Sequence, residues 1–160
     1  MLASNEATKM LVTKISDGTV IDHVSAGKAL SVLRLLGDPE TKGATIALVM
    51  NVRSSKMGRK DILKVEGIEL STEQIQRLAL IAPRASVNIV RSYKVAAKRS
   101  AVPPRTLRGV LSCTATTCVS VREKDSAPSI FFLSGRAPLR YRCKYCGREL
   151  DEKDISAQLA

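Results

Sequence analysis

Residues 60–91 read KDILKVEGIELSTEQIQRLALIAPRASVNIVR, and this stretch decides how the larger part of the chain folds. From Lys60 to Gly67 apolar and polar residues alternate, the mark of a strand with one buried face. Ser71-Thr72-Glu73-Gln74 is a capping box. In it the Ser hydroxyl and the Gln side chain each satisfy an orphan N–H at a helix start. Ile75, Leu78, Leu80 and Ile81 then carry an apolar face as far as Pro83. Residues 85–91 return to β-branched side chains, and residues 93–97 (YKVAA) read as one more strand.

Toward the N-terminus, residues 44–52 (ATIALVMNV) have the continuous apolar character of a buried strand. Before them, Ser25 is expected as an N-cap for a helix carrying Ala29, Leu30, Leu33 and Leu36, with Gly37 and Pro39 as its stop. Residues 9–24 read as extended segments around an Asp17-Gly18 turn. The order is β-α-β-β-α-β with a strand appended, a ferredoxin-like split βαβ arrangement.

Toward the C-terminus, residues 98–105 (KRSAVPPR) have a linker's composition, so the chain divides into residues 1–104 and 105–160. Beyond the linker, LRGVLS, CVSVRE, IFFLS and LRYRC read as short strands, with a short helix expected near residue 151. The expectation is an α+β chain, with a small all-β zinc-ribbon-like C-terminal domain. Aromatics are only 3% of the residues, so the cores must be built from aliphatic side chains, and a small aliphatic core is marginal without a staple.

The staple is legible in the cysteines. Cys113-x4-Cys118 and Cys143-x2-Cys146 are two short-spaced pairs, and two such turns brought together supply the S4 shell that Zn²⁺ prefers and that iron also accepts. Gly147 suits the positive φ that a knuckle turn often needs. A redox CxxC would open a helix in a thioredoxin-like βαβ unit and leave the other pair unexplained. A full cysteine shell has no open position for water, so the expected site is structural.

A net charge of +11 favours anionic partners: nucleic acid, phosphorylated small molecules or an acidic protein surface. The start of the chain lacks a charged region followed by a long apolar run, and no stretch approaches the length of a bilayer span. A cytoplasmic, non-membrane protein is the expectation. Catalysis is poorly served: one histidine, no G-x-S-x-G, no P-loop and no spare cysteine. Asp22-His23 suggests a dyad, but neighbours in a regular strand point to opposite faces, and a strand-end pair making local hydrogen bonds is the simpler reading. Lys60, Ile62 and Lys64 share one face of a strand, and Asn88, Tyr93 and Lys98 belong to strands that can lie beside it. On chemistry alone this is a solvated basic face or a nucleotide site.

Several stretches together resemble the regulatory chain of aspartate carbamoyltransferase over essentially the whole length. They are Gly18-Thr19-Val20-Ile21-Asp22-His23, residues 57–64 (MGRKDILK), residues 78–83 (LALIAP), Val87-Asn88, Tyr93-x-Val95, the segment around Lys98, and the cysteine frame with Cys143-Lys144-Tyr145-Cys146. The resemblance implies a non-catalytic subunit. Its N-terminal allosteric domain would bind nucleoside triphosphates, with CTP the inhibitor and ATP the activator. Its zinc domain would contact the catalytic chain, and two regulatory chains would pair through their allosteric domains. Carried over by position, the effector residues would be Val12, Asp22, His23, Lys60, Ile62, Lys64, Asn88, Val90, Tyr93, Val95 and Lys98. The metal ligands would be Cys113, Cys118, Cys143 and Cys146. Residues 114–117 (TATT), Gly147, Thr13 and Lys14 depart from the family pattern. A zinc-ribbon protein binding nucleic acid is the competing reading, weakened by the scarcity of aromatics on which bases could stack.

Overall fold

The computed structural model describes residues 13–37, 39–122 and 127–159. Its first part runs β1 (Gly18–Ser25), α1 (Ala29–Leu35), a 3-10 turn (Pro39–Lys42), β2 (Thr45–Ser54), β3 (Gly58–Glu66), α2 (Thr72–Ile81), β4 (Ser86–Arg91) and β5 (Lys94–Ser100). The strands form one antiparallel sheet in the order β2-β3-β1-β4-β5. With β3 inserted between β1 and β2, this is the split βαβ arrangement, extended by β5 along the β4 edge.

Period-two alternation assigns the two sheet faces. Ile21, Leu63, Val65, Val87 and Ile89 are buried in one cluster with Val32 of α1 and Ile75 and Leu78 of α2. The opposite face carries Val20, Ile62, Lys64 and Asn88, all only partly buried. Gly18, at φ +138°, begins β1 where a Cβ would come within 2.2 Å of the Val65 carbonyl oxygen, so the strand entry admits no side chain.

The second part holds a four-stranded antiparallel sheet, β6 (Thr106–Arg108), β7 (Ile130–Arg136), β8 (Leu139–Cys143) and β9 (Glu149–Leu150), in that order. Two short helices accompany it, α3 (Val119–Arg122) and α4 (Glu152–Leu159). Phe131, Leu139, Tyr141, Leu150 and Ile155 form its core together with three of the cysteines. Leu80 of α2 belongs to this second cluster, and Leu159 of α4 packs against both clusters. Buried Tyr141 donates from its hydroxyl to the Pro104 carbonyl (2.7 Å), which ties the Pro103-Pro104 segment to β8.

The capping box forms as expected: Gln74 N–H donates to Ser71 Oγ (3.2 Å) and Ser71 N–H to Gln74 Oε1 (2.9 Å). The other expected cap does not. Ser25 ends β1, and Lys28 occupies the α1 N-cap with no side-chain cap bond. The acceptor comes from β3 instead: Asp61, fully buried, receives N–H groups from Gly27 (2.8 Å), Ala29 (3.1 Å) and Asn51 (2.8 Å).

Three further segments differ from the sequence reading. CVSVRE contains a helical turn, not a strand, because the Cys118 carbonyl accepts from Val121 and Arg122 (both 3.0 Å). In LRGVLS the strand ends at Arg108, where Gly109 turns at φ +65°. Tyr93 is not the start of a strand: Ser92 and Tyr93 both have positive φ (49° and 62°), the pattern of a two-residue type I′ hairpin. Residues 98–100, assigned to the linker by composition, complete β5. The extended stretch expected from residue 9 falls partly outside the described residues, and β1 begins only at Gly18.

Candidate metal centre and polar sheet face

The four cysteines converge from three places: the end of β6's following loop (Cys113), the entry to α3 (Cys118), and the knuckle after β8 (Cys143 and Cys146). Their Sγ atoms all lie within 4.8 Å of one another, with Cys113–Cys146 at 3.5 Å and Cys118–Cys143 at 3.7 Å. A tetrahedron with Zn–S bonds of about 2.3 Å has S···S edges of about 3.8 Å, so the four sulfurs fit one metal ion. The knuckle closes through Gly147 N–H to Cys143 O (3.0 Å) and Cys143 N–H to Arg148 O (2.8 Å). Gly147 takes φ +76°, as the turn requires.

The sulfur electrostatics call for a cation. Burial pushes the Cys113 thiol up to about 12 and raises that of Cys143. The hydrogen bond with Ser120 Oγ (3.2 Å) brings Cys118 down to about 7. Four thiols this close cannot ionise together unless a positive ion offsets their mutual repulsion. Ser120 is buried behind the ligands and orients Cys118. Composition had flagged no role for it, because a serine inside an expected strand carries no such signal.

On the first sheet, the strand register aligns the basic candidates. Lys64 pairs with Val20, Val20 with Asn88 and Asn88 with Lys98, so one row crosses β3, β1, β4 and β5 on the face opposite the helices. Val90 pairs with Val95 in the adjoining row, and Ile62 stands two residues from Lys64 on the same face. Val90 is buried yet outside both core clusters, while Val95 and Tyr93 at the hairpin end are well exposed. Lys64 Nζ donates to the Thr13 carbonyl (2.9 Å), and burial lowers its pKa. Val12 lies outside the described residues.

Asp22 and His23 do not diverge. A bulge between Ile21 and Val24 shifts the β1–β3 register, with His23 at φ +57°. This puts both side chains together: His23 Nδ1 is 3.7 Å from Asp22 Oδ2 and 3.2 Å from Ser86 Oγ, and His23 N–H donates to Asp22 Oδ1 (2.6 Å). The opposite-face expectation fails because a bulge breaks the period of two. Lys60 closes the group with its Nζ 2.8 Å from Asp22 Oδ1. Burial works to raise the Asp22 pKa, but the Lys60 hydrogen bond, the His23 N–H and the neighbouring charges together hold it below its ordinary value.

Among the described residues no helix is long and apolar enough to cross a membrane. Few aromatic rings are open for stacking bases: Phe131 and Tyr141 are buried, the Tyr145 hydroxyl is tied to the Pro128 carbonyl (3.0 Å), and only Tyr93 and Phe132 are otherwise well exposed. The nucleic-acid reading is therefore not favoured.

Comparison with known proteins agrees with the architecture. Residues 10–102 match the family profile described as aspartate carbamoyltransferase regulatory chain, allosteric domain, and residues 105–156 match the metal binding domain of the same chain. The aspartate carbamoyltransferase regulatory chain of Korarchaeum cryptofilum is 47% identical over 152 residues, covering 95% of this chain and 97% of its own. That of Hyperthermus butylicus is 46% identical over 94% of both chains, and that of Pyrobaculum arsenaticum 45% identical over 92% of this chain and 97% of its own. A two-sheet architecture with a four-cysteine metal centre, matched along nearly its whole length, makes this chain a member of the aspartate carbamoyltransferase regulatory chain family.

Proposed function

We propose that residues 1–104 bind nucleoside triphosphate effectors on the polar sheet face, and that residues 105–160 carry the response to the catalytic chains of aspartate carbamoyltransferase. The observation that supports this most is the row Lys64–Val20–Asn88–Lys98, which offers two cations, an apolar platform and an amide in a single line across four strands. Cations serve phosphates, and an amide can tell the exocyclic groups of one base from another. Val90, Val95, Ile62 and, from outside the described residues, Val12 would supply apolar contact, and Tyr93 a ring at the hairpin end. Asp22, His23 and Lys60 would form the far wall.

CTP is the inhibitor and ATP the activator in this reading. Either can shift the assembly only by the difference in its affinity for two states, and that difference must pass through the metal-bearing half to the catalytic chains. Zn²⁺ held by Cys113, Cys118, Cys143 and Cys146 would supply fixed geometry to the surface that meets them. Regulatory chains pair as homodimers through their allosteric parts, and the free thiols fit a reducing cytoplasm.

Calorimetric titration of the zinc-loaded chain with CTP and ATP, with and without a catalytic trimer, tests the reading. Saturable micromolar-to-millimolar binding is expected, abolished by Lys98→Ala or Lys64→Ala, together with formation of a large complex. Absence of both nucleotide binding and complex formation would overturn it.

A further inference from the structure

Where the two halves of the chain meet, a cleft of about 420 Å³ opens between the start of α1, the segment from α2 to β4, the linker at Pro103 and the turn from β7 to β8. Lys28 and Arg84 line it from the first half, Arg136 and Glu152 from the second. None of the three cations takes part in an ion pair among the described residues. The carboxylate is already engaged, since Glu152 Oε1 accepts the Leu139 N–H (3.0 Å). Lys60, Lys64 and Lys98 do not line this cleft, so it is separate from the polar row on the first sheet.

Three cations around one concavity repel one another unless an anion lies among them, and a wall of mostly one sign focuses the field on such an anion. Here the cations come from three different elements, so their donors approach from different sides. That arrangement suits a phosphoryl group, with oxygens on several sides, better than a planar carboxylate, which one guanidinium can satisfy in bidentate fashion. Arg84 gives one N–H to the Lys56 carbonyl at 3.5 Å, and a guanidinium has further donors to give. Ile81 and Pro103 add apolar wall, and the volume falls within the roughly 300–1,000 Å³ of small-molecule pockets.

We infer that this interdomain cleft binds a small phosphorylated anion, held by Lys28, Arg84 and Arg136. Because those side chains belong to both halves, the bound anion fastens the metal-bearing half to the first. It adds to the long Lys28 Nζ–Ser156 Oγ hydrogen bond (3.4 Å), which spans the same two halves. Lys28 and Arg136 lie outside both core clusters, so replacing them leaves the cores intact.

Titration of the isotope-labelled, zinc-loaded full chain with inorganic phosphate at constant ionic strength tests this, read from backbone amide chemical shifts. The amides of Lys28, Arg84 and Arg136 should move together and give one dissociation constant. The Lys28→Ala/Arg136→Ala variant should weaken it about tenfold, and the charge-preserving Lys28→Arg/Arg136→Lys variant should restore most of the loss. Unchanged amide shifts of Leu78 and Phe131 report that both cores survive the substitutions. No saturable shift at Lys28 and Arg136 in the wild type, or wild-type affinity in the alanine variant, would overturn the inference. Shifts confined to the first half and centred on Lys98 would also overturn it, while leaving the nucleotide reading of the sheet face standing.

Discussion

Asp61 shows how much one buried carboxylate can organise. Its oxygens receive the N–H groups of Gly27 and Ala29 at the start of α1 and of Asn51 in the irregular stretch of β2, where φ is +58°. These donors belong to chain segments that no regular ladder or helix would satisfy, and a buried N–H without a partner is costly. Asp61→Ala should therefore destabilise the chain by about 3 kcal/mol or more, read from urea denaturation, because three donors are orphaned at once. Asp61→Asn keeps an acceptor and should cost less. A loss below about 1 kcal/mol for the alanine variant would mean that water replaces the carboxylate. His23 teaches a related lesson: its left-handed backbone, accessible to histidine more readily than to bulky residues, is what brings it beside Asp22 and Ser86.

At the scale of elements, the second sheet has little besides its cysteine site to hold it together. Its strands are short, β6 with three residues and β9 with two, and three of its core side chains are themselves cysteines. Structural zinc contributes about 10–16 kcal/mol of apparent binding free energy, far more than so small a core supplies. Removing the metal with a chelator at neutral pH should abolish amide protection in β6–β9 while β1–β4 stay protected, measured by hydrogen exchange. Adding Zn²⁺ should restore it. Protection in β6–β9 that survives chelation would show that the aliphatic core suffices. The first sheet should show no such dependence, since its buried core spans three strands and two helices.

Across the whole molecule, α2 joins the two cores. Leu78 and Ile81 face the first cluster and Leu80 the second, while α4 packs on α2 and carries Leu159 against both. Lys28, at the start of α1, reaches Ser156 of α4 (3.4 Å), a second bridge between the halves. Large-to-small changes on this one helix should consequently separate by domain. Leu78→Ala should weaken protection of the first sheet, and Leu80→Ala that of the second, each by about 2–4 kcal/mol in hydrogen exchange. Equal loosening of both sheets by either change would instead mean that the halves unfold as one unit.

How far each feature was legible follows from the range of the interactions behind it. The order of elements, the capping box, the α2 face and the four ligands are local: they depend on residue type and on spacings of a few positions, which the chain carries by itself. The convergence of Cys113 and Cys118 on Cys143 and Cys146 was also legible, because a metal accounts for both pairs where a redox pair leaves one unexplained. The Asp61 cap, the helical turn after Cys118, the bulge that unites Asp22 with His23 and the Ser92-Tyr93 turn were not. Each is made by groups distant in sequence, or by a backbone departure that a neighbouring strand or the cysteine cluster imposes. The sequence thus determined which elements form, where one core needs a metal, and to which family the chain belongs. Tertiary structure decided which face of each strand meets which neighbour, because register and bulges are settled only when buried donors and apolar side chains find partners across the sheet.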